Sequence, residues 1–462
     1  MNIPQNLTPF SQSVLHPAAS VALRRAAVKL GAPEFPISVS QLARPDGVRI
    51  HLAALTVNVW SESTQAVAHL LGVASLQSGA RGKTGRGMKT AQQTLTGFPA
   101  AYGRLRRWSE WVFDSEWNQA QLLQVMEEVE RMTAEALMWV YASAIAAVGS
   151  YAHLGRLIAK FEKNQARGHA LRLGLTAGLE TPDGRLIEAL AAGAVPERLR
   201  KEFGHMPIGR EGEMAAPRIA EAAEALIGTS SPPEPLMWDL SRAQGRQETA
   251  RRKALAAAGF LGRSGLRKSI ELTQSALITH AKARDALAFV LAATRHWAQA
   301  AAVEGMSDGR IQRADEIFLL EIEEIKQMMT GEWHSRGHIA PLLARRREDR
   351  SQQAVADRRA GVGPLGVAGE MTEGALLPMR TPADVTPPSG FIALAESWHP
   401  AWWRVLLRVA GVIAPDGDLL AWVASVARTG DLPTLVGGDY GSWPAGSAIR
   451  LDPSRNLVEM SE

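Results

Sequence analysis

The sequence has no cysteine, which removes disulfide scaffolds, thiolate metal sites and cysteine nucleophiles from consideration and fits a reducing compartment. It also has little net charge. Against 51 Lys+Arg stand 47 Asp+Glu, so the excess is only +4 on 462 residues. That is too small for a nucleic-acid footprint. Tyrosine is scarce, at four residues, whereas tryptophan reaches 13. No basic stretch followed by an apolar core opens the chain at MNIPQNLTPF, so no signal peptide is expected. One charge-free stretch to be weighed as a membrane span is Ala136 to Gly155, 20 residues without Asp, Glu, Lys or Arg. Its content is alanine with Ser143, Ser150, His153 and two Tyr, and it continues a charged amphipathic segment. It reads as a buried bundle helix, and a cytoplasmic protein with no membrane and no nucleic-acid partner is expected.

What is present is mostly helical periodicity. Apolar residues make up 46%, enough for a large buried core. Leu122, Met126, Val129, Thr133, Leu137 and Val140 fall three and four apart, as do Leu287, Val290, Leu291, Thr294 and Trp297. Val48 to Leu52 alternates apolar and polar residues after the turn Pro45-Asp46-Gly47, which predicts a short strand. Ser78 to Lys89, rich in glycine and basic residues, predicts a loop, Glu180 to Gly184 a turn, and Ser230 to Pro235 a further loop. Asp315 to Lys326 mixes an apolar run with acids and predicts a strand turning into a helix. Beyond residue 361, strand candidates (Phe391–Leu394, Gly411–Ile413, Thr434–Val436, Ala448–Leu451) alternate with helix candidates (Trp402–Val409, Leu419–Arg428). The expected domains are therefore 1–344, mostly helical; 345–360, an Arg-rich linker or solvated helix with six Arg and three acids; and 361–462, a small α/β unit.

Several motifs could carry chemistry, and each has a bland alternative. Gly79-Ala80-Arg81-Gly82-Lys83-Thr84 approaches a phosphate loop. Gln77, however, stands where the first glycine is needed, which leaves an exposed loop able to touch an anion through Arg81, Lys83 or Arg86. His334 and His338 are spaced for one helix face, yet no carboxylate completes a zinc set. Trp108, Trp111 and Trp117 are either helix packing or the wall of an apolar pocket. Phe203-Gly204-His205, Gly212-Glu213-Met214 and Pro217-Arg218 gather His, Glu and Arg in one turn-rich stretch. That stretch is either a polar helix connection or a proton-transfer site for an acceptor hydroxyl.

Taken in order, these stretches resemble the PEP-utilising phosphotransferases: PEP synthase, rifampin phosphotransferase and the phenylphosphate synthases. Leu7-Thr8-Pro9-Phe10-Ser11 is similar to the opening of the acceptor-binding part of the rifampin phosphotransferase branch, and Arg49 to Leu55 to a later segment of it. The 203–218 stretch, Ala314 to Leu320, Gly363 to Gly369 and His399-Pro400-Ala401-Trp402 continue the likeness along nearly the whole chain. The resemblance implies a mainly α fold, with a large helical acceptor-binding region followed by a small swivelling β/α domain of the phosphohistidine type. It also implies two departures. Nothing corresponds to the ATP-binding domain, and in the stretch Gly417 to Arg428 Trp422 stands where the family's histidine belongs. An indole N–H only donates, so Trp422 cannot take up a phosphoryl group. Ala421 removes the adjacent hydroxyl and Asp418 adds a negative charge. His399 is the one replacement carrier the analogy offers.

The resemblance thus implies a catalytically degenerate subunit with no cofactor of its own. ATP and magnesium would belong to a partner, an ATP-binding or His-bearing subunit. A small hydroxyl-bearing acceptor would meet His205, Glu213, Arg218 and Arg284. Two alternatives remain: an active subunit that takes phosphoryl from a partner's phosphohistidine with His205 as base, and a regulatory scaffold with no ligand.

Overall fold

The computed structural model describes residues 7–29, 48–52, 55–59, 84–228, 230–332, 336–353, 364–382, 389–415, 417–438, 440 and 443–461. Four long helices form its first layer: α1 (Pro9–Lys29), α2 (Thr84–Phe113), α3 (Gln119–Ile158) and α9 (Gly259–Ser307). Helix α3 begins with a reciprocal cap, in which the Asn118 side chain accepts from Gln121 N and the Gln121 side chain accepts from Asn118 N. Alanines 18, 19, 22 and 26 on α1 are fully buried, and such small residues let this helix lie close on α3. Trp297 is fully buried where α9 crosses α3, and its indole donates to the Leu122 carbonyl at 2.8 Å. Satisfying that N–H is what allows the largest side chain into a dry core. Helix α3 is the one described helix long and apolar enough to cross a membrane, and 76% of its most apolar window is buried inside the protein.

The second half is built from shorter helices: α4 (Gln165–Leu175), α5 (Pro182–Ala191), α6 (Pro196–Phe203), α7 (Ile219–Ile227) and α8 (Leu240–Ala257). After α9, a 3₁₀ turn at Ala314–Leu319 leads to α10 (Ile322–Met329) and α11 (Arg336–Gln353). Strands β1 (Val48–Leu52) and β2 (Leu55–Val59) form a separate antiparallel hairpin. The C-terminal strands are β3 (Leu365–Ala368), β4 (Thr372–Pro378), β5 (Ile392–Leu394), β6 (Gly411–Ala414), β7 (Thr434–Val436), β8 (Ala448–Asp452) and β9 (Leu457–Met460). They make one curled, mixed seven-stranded sheet in the order β3-β7-β6-β5-β4-β8-β9. Its centre is parallel and its margins antiparallel. Helices α12 (Trp403–Arg408) and α13 (Trp422–Gly430) make the crossovers from β5 to β6 and from β6 to β7.

This arrangement corrects the expected fold class. Helix content is high, but the helical region is not followed by a small swivelling domain. The sheet shares a core with the helices. Along β6, Val412 and Ala414 face one hydrophobic cluster that also contains Leu186, Ile187, Leu226 and Trp238. Ile413, between them, faces a second cluster with Leu376, Ile392 and Leu435. The period of two along a strand thus makes the inner face continuous with the helical half. Helix α13 is buried along its whole length between the sheet and α5 and α8.

Other segments differ from or refine the expectation in smaller ways. The turn at Glu180–Gly184 is the first turn of α5, with Pro182 inside it and the Thr181 hydroxyl accepting from Gly184 N at 3.1 Å. Asp315–Lys326 contains no strand. Glu316 accepts from Gln312 N at 2.8 Å and pairs with Arg347, which winds a 3₁₀ turn, while Leu319 and Leu320 go into the helical core. The loop expected at 78–89 is helical from Thr84 onward, and residues 78–83, with most of the phosphate-loop-like stretch, lie outside the described residues. Of the Arg-rich run, 345–353 end α11, where Arg346 reaches Glu321 and Glu324, and 354–360 lie outside the described residues.

Candidate functional site

Helix α9 organises the polar interior. Its middle carries an Arg284-Asp285 pair in an otherwise apolar run, and the two side chains serve different neighbours. Asp285 holds His205, which follows α6: His205 Nε2 lies 2.8 Å from Asp285 Oδ1. The other carboxylate oxygen accepts from the Tyr102 hydroxyl of α2 at 2.6 Å. The imidazole stacks on Phe289, one turn along α9, with centroids 3.5 Å apart and planes 8° from parallel. Burial alone would raise the Asp285 carboxyl. The His205 charge and hydrogen bond, with the Tyr102 hydrogen bond, outweigh it and hold the group below the usual range. Burial first, then Asp285, pushes the Tyr102 phenol up.

Arg284 lies on the adjoining face. It donates to Asp183 Oδ2 at 3.2 Å and pairs with Glu211 from the loop after α6. Asp183 is raised to about 6, because its burial is only partly offset by Arg284 while Glu211 adds like charge. Arg284 also borders a small pocket where Thr181, His280, Ser425 and Arg428 meet the apolar side chains of Leu179, Leu277 and Leu420. Its free volume is about 10 Å³, room for roughly one water. Arg428 Nη2 donates to the Leu419 carbonyl at 2.6 Å, but its Nε has no hydrogen-bond partner in the protein. Burial pushes the Arg428 guanidinium down to about 10. His280 Nδ1 meets the Ser143 hydroxyl at 3.2 Å, its Nε2 has no protein partner, and burial holds this ring neutral.

The four residues expected at an acceptor site therefore divide into two groups. His205, through Asp285, and Arg284 occupy neighbouring positions on α9. Glu213 and Arg218 lie near Arg295, about 15 Å further along that helix at 1.5 Å per residue. Glu213 is spent on anchoring the start of α1. Its oxygens accept from Thr8 N and Oγ1 at 2.8 Å each, from Ser11 Oγ at 2.9 Å and from Ala215 N at 2.8 Å. Arg218 is 3% exposed, and its Nε and Nη2 find no protein partner, because Arg295 takes both oxygens of Glu221 at 2.7 Å. Burial and then Arg295 push Arg218 down to about 10.

Trp422 opens α13 and is 4% exposed within the shared core. His399, the analogue of a replacement carrier, directs Nδ1 at the Ile208 carbonyl at 2.9 Å, and burial lowers it to about 4. The three tryptophans share no pocket: Trp108 is buried and donates to Glu128 at 2.6 Å, Trp111 is exposed, and Trp117 reaches His296. Among the described residues no group of three or more His, Asp or Glu could hold a metal. His334 lies outside them, and His338 falls on α11. Asp285, Tyr102, Asp183 and Arg428 were missed by motif reading. The signal available was the charge pair at 284–285 inside an alanine-rich helix, since buried charge requires a partner.

No protein-family model matches the chain, and no curated protein matches it.

Proposed function

We propose that this chain is a phosphotransferase-like subunit that carries no phosphoryl group itself and presents a hydroxyl-bearing acceptor to an ATP-binding or phosphohistidine-bearing partner. The observation that carries the reading is the His205–Asp285 contact at 2.8 Å, completed by Tyr102. A carboxylate that fixes Nε2–H leaves Nδ1 as the proton acceptor, which is the arrangement a general base needs. In transfer, the acceptor O–H bond would break toward His205 Nδ1 as its oxygen bonds phosphorus and the partner's N–P bond opens. Arg284, next to Asp285 on α9 and paired with Asp183 and Glu211, is a cation to draw on for positive charge. His205 is 7% exposed and stacked on Phe289, so acceptor entry requires a local opening around the imidazole. Trp422 at the start of α13 supports the absence of a carrier in this chain. A cytoplasmic setting, with ATP and magnesium on the partner, belongs to the same reading.

The test is labelled ATP with the chain alone and with candidate partner subunits, followed by an acid-labile phosphate assay. The chain alone should retain no label. With partners, acceptor labelling should fall on the order of 100-fold or more in His205→Gln. Label held by the chain alone, or labelling untouched by His205→Gln, defeats the proposal. A ligand-free scaffold is the second reading, favoured by the one-water volume of the pocket beside Arg284. Saturable binding of acceptor candidates that is lost in His205→Gln would decide against it.

A further inference from the structure

The junction of α8 and α9 is a narrow helical hairpin turned by Gly259, whose φ of +64° places it in the left-handed region. At its tip stand Phe260, 89% exposed, and Leu261, 96% exposed. They are by far the most exposed of the large apolar side chains described, and they are adjacent. Ala256 and Ala257 beside them are exposed too. The base below is rigid: Ala250, Ala254, Leu266 and Ile270 pack with Leu154, Ile158 and Leu175 into a separate small core. The tip is thus held out from the body by a packed stem.

Charge is concentrated on the same stem. Between Thr249 and Ile270 the chain has six basic residues and no acidic one, although the whole chain has an excess of only +4. Arg252 and Lys253 before the turn, and Arg263, Arg267 and Lys268 after it, are exposed. From Phe260 to Arg267 along α9 is about 10 Å at 1.5 Å per residue. An aromatic anchor buried in the boundary of the acyl chains lies about 5–10 Å below the headgroups, so cations at this spacing would stand at the phosphates. A convex apolar point ringed by flexible cations has no groove or flat face to match a folded partner, whereas a fluid bilayer closes around any such point.

We propose that the α8–α9 tip docks the protein on an anionic membrane surface, inserting Phe260 and Leu261 while the flanking Arg and Lys side chains contact lipid phosphates. This is surface attachment, distinct from the spanning helix that the sequence argued against, and it does not rest on the phosphotransferase reading. The experiment is co-sedimentation of the full chain with vesicles of phosphatidylcholine containing about 30% phosphatidylserine, and with phosphatidylcholine alone. Binding to the anionic vesicles should be strong at low salt and suppressed by added salt, as each cation near such a surface is worth roughly fivefold. Phe260→Ser/Leu261→Ser should weaken it at least tenfold, and Arg263→Glu/Arg267→Glu should abolish it. Because Phe260 and Leu261 are almost wholly exposed, thermal unfolding of Phe260→Ser/Leu261→Ser should stay unchanged, while Arg263→Glu also loses its 3.0 Å hydrogen bond to the Leu255 carbonyl. In Phe260→Trp, emission should shift to the blue with anionic vesicles only. Failure of the wild-type chain to bind anionic vesicles overturns the proposal, including where it captures an acidic protein instead. Binding that survives Phe260→Ser/Leu261→Ser undiminished also overturns it, and marks the stem as an indiscriminate basic patch.

Discussion

Asp285 and Asp183 are both buried beside α9, yet their protonation responds to pH in opposite senses. Asp285 has its acidity strengthened by His205 and Tyr102, so its contribution to stability is present above the unfolded value near 4 and is lost as pH falls through its lower folded value. Removing it leaves His205 and Tyr102 facing an empty, dry site. Asp285→Ala should cost about 3–5 kcal/mol at pH 7, the range for breaking a buried pair, read as a shift in urea midpoint. That deficit should shrink at the most acid pH where the protein still folds. Asp183 is weakened as an acid, to about 6, because burial outweighs Arg284. The folded chain therefore binds this proton more tightly than the unfolded one. Its contribution is full below about 4 and declines as pH rises through about 6. Asp183→Asn, which keeps the shape and cannot ionise, should remove that opposing contribution, so that stability rises more steeply with pH between 4 and 6 than in the wild type. An unchanged slope in denaturation experiments over this window would refute the assignment.

At the scale of the element, α13 decides whether the C-terminal sheet can move. Two glycines hold it against the helices. A Cβ on Gly184 of α5 would lie 2.3 Å from Thr429 Oγ1, and one on Gly430 would lie 2.2 Å from the Trp238 ring. Gly178 N also donates to the Arg428 carbonyl at 2.8 Å, and Thr429 Oγ1 to the Leu179 carbonyl at 2.7 Å. Gly184→Ala and Gly430→Ala should each destabilise by about 1–3 kcal/mol through overpacking, measured by chemical denaturation. Elements of this kind were unevenly legible. The parallel strands β5, β6 and β7 and helices α12 and α13 could be read because short apolar runs alternate with amphipathic ones. Strand β4, Thr-Glu-Gly-Ala-Leu-Leu-Pro, was not, because it has a single buried residue, Leu376, and no apolar alternation to betray it. Strand β3 was hidden by Gly366, which a strand normally avoids and which is needed here because a Cβ would lie 1.9 Å from the Pro453 carbonyl oxygen. The site was legible at His205 through its motif. Its partner Asp285 lies 80 positions away, and only the tertiary fold, which lays the residues after α6 against α9, brings them together.

Across the whole molecule the same burial has two consequences. Burial pushes His16, His169 and His399 down to about 4, and His280 well below its usual value. A histidine neutral in the fold and near 6.5 when unfolded stabilises fully above 6.5 and loses that contribution as pH falls toward 4. With several such rings the protein should lose stability between pH 6.5 and 4.5, opposed in part by Asp183, and His169→Gln/His399→Gln should flatten the fall. The second consequence concerns cooperativity. One hydrophobic cluster runs from Leu95 and Ala144 of the long helices through Leu186 and Trp238 to Val412, Trp422 and Val436 of the C-terminal half. A sheet that swivels on a linker would melt by itself, since its core would be its own. Here, opening the sheet exposes the apolar faces of the shorter helices and of Leu95 and Ala144, so the shared core is lost to both sides, although the long helices keep a second core of their own. Calorimetry should show a single transition for residues of both halves, with Gly184→Ala and Gly430→Ala lowering it as one. Brief proteolysis should release no folded fragment beginning near residue 361. Two separated transitions, or such a fragment, would restore the independent mobile domain that the shared core argues against.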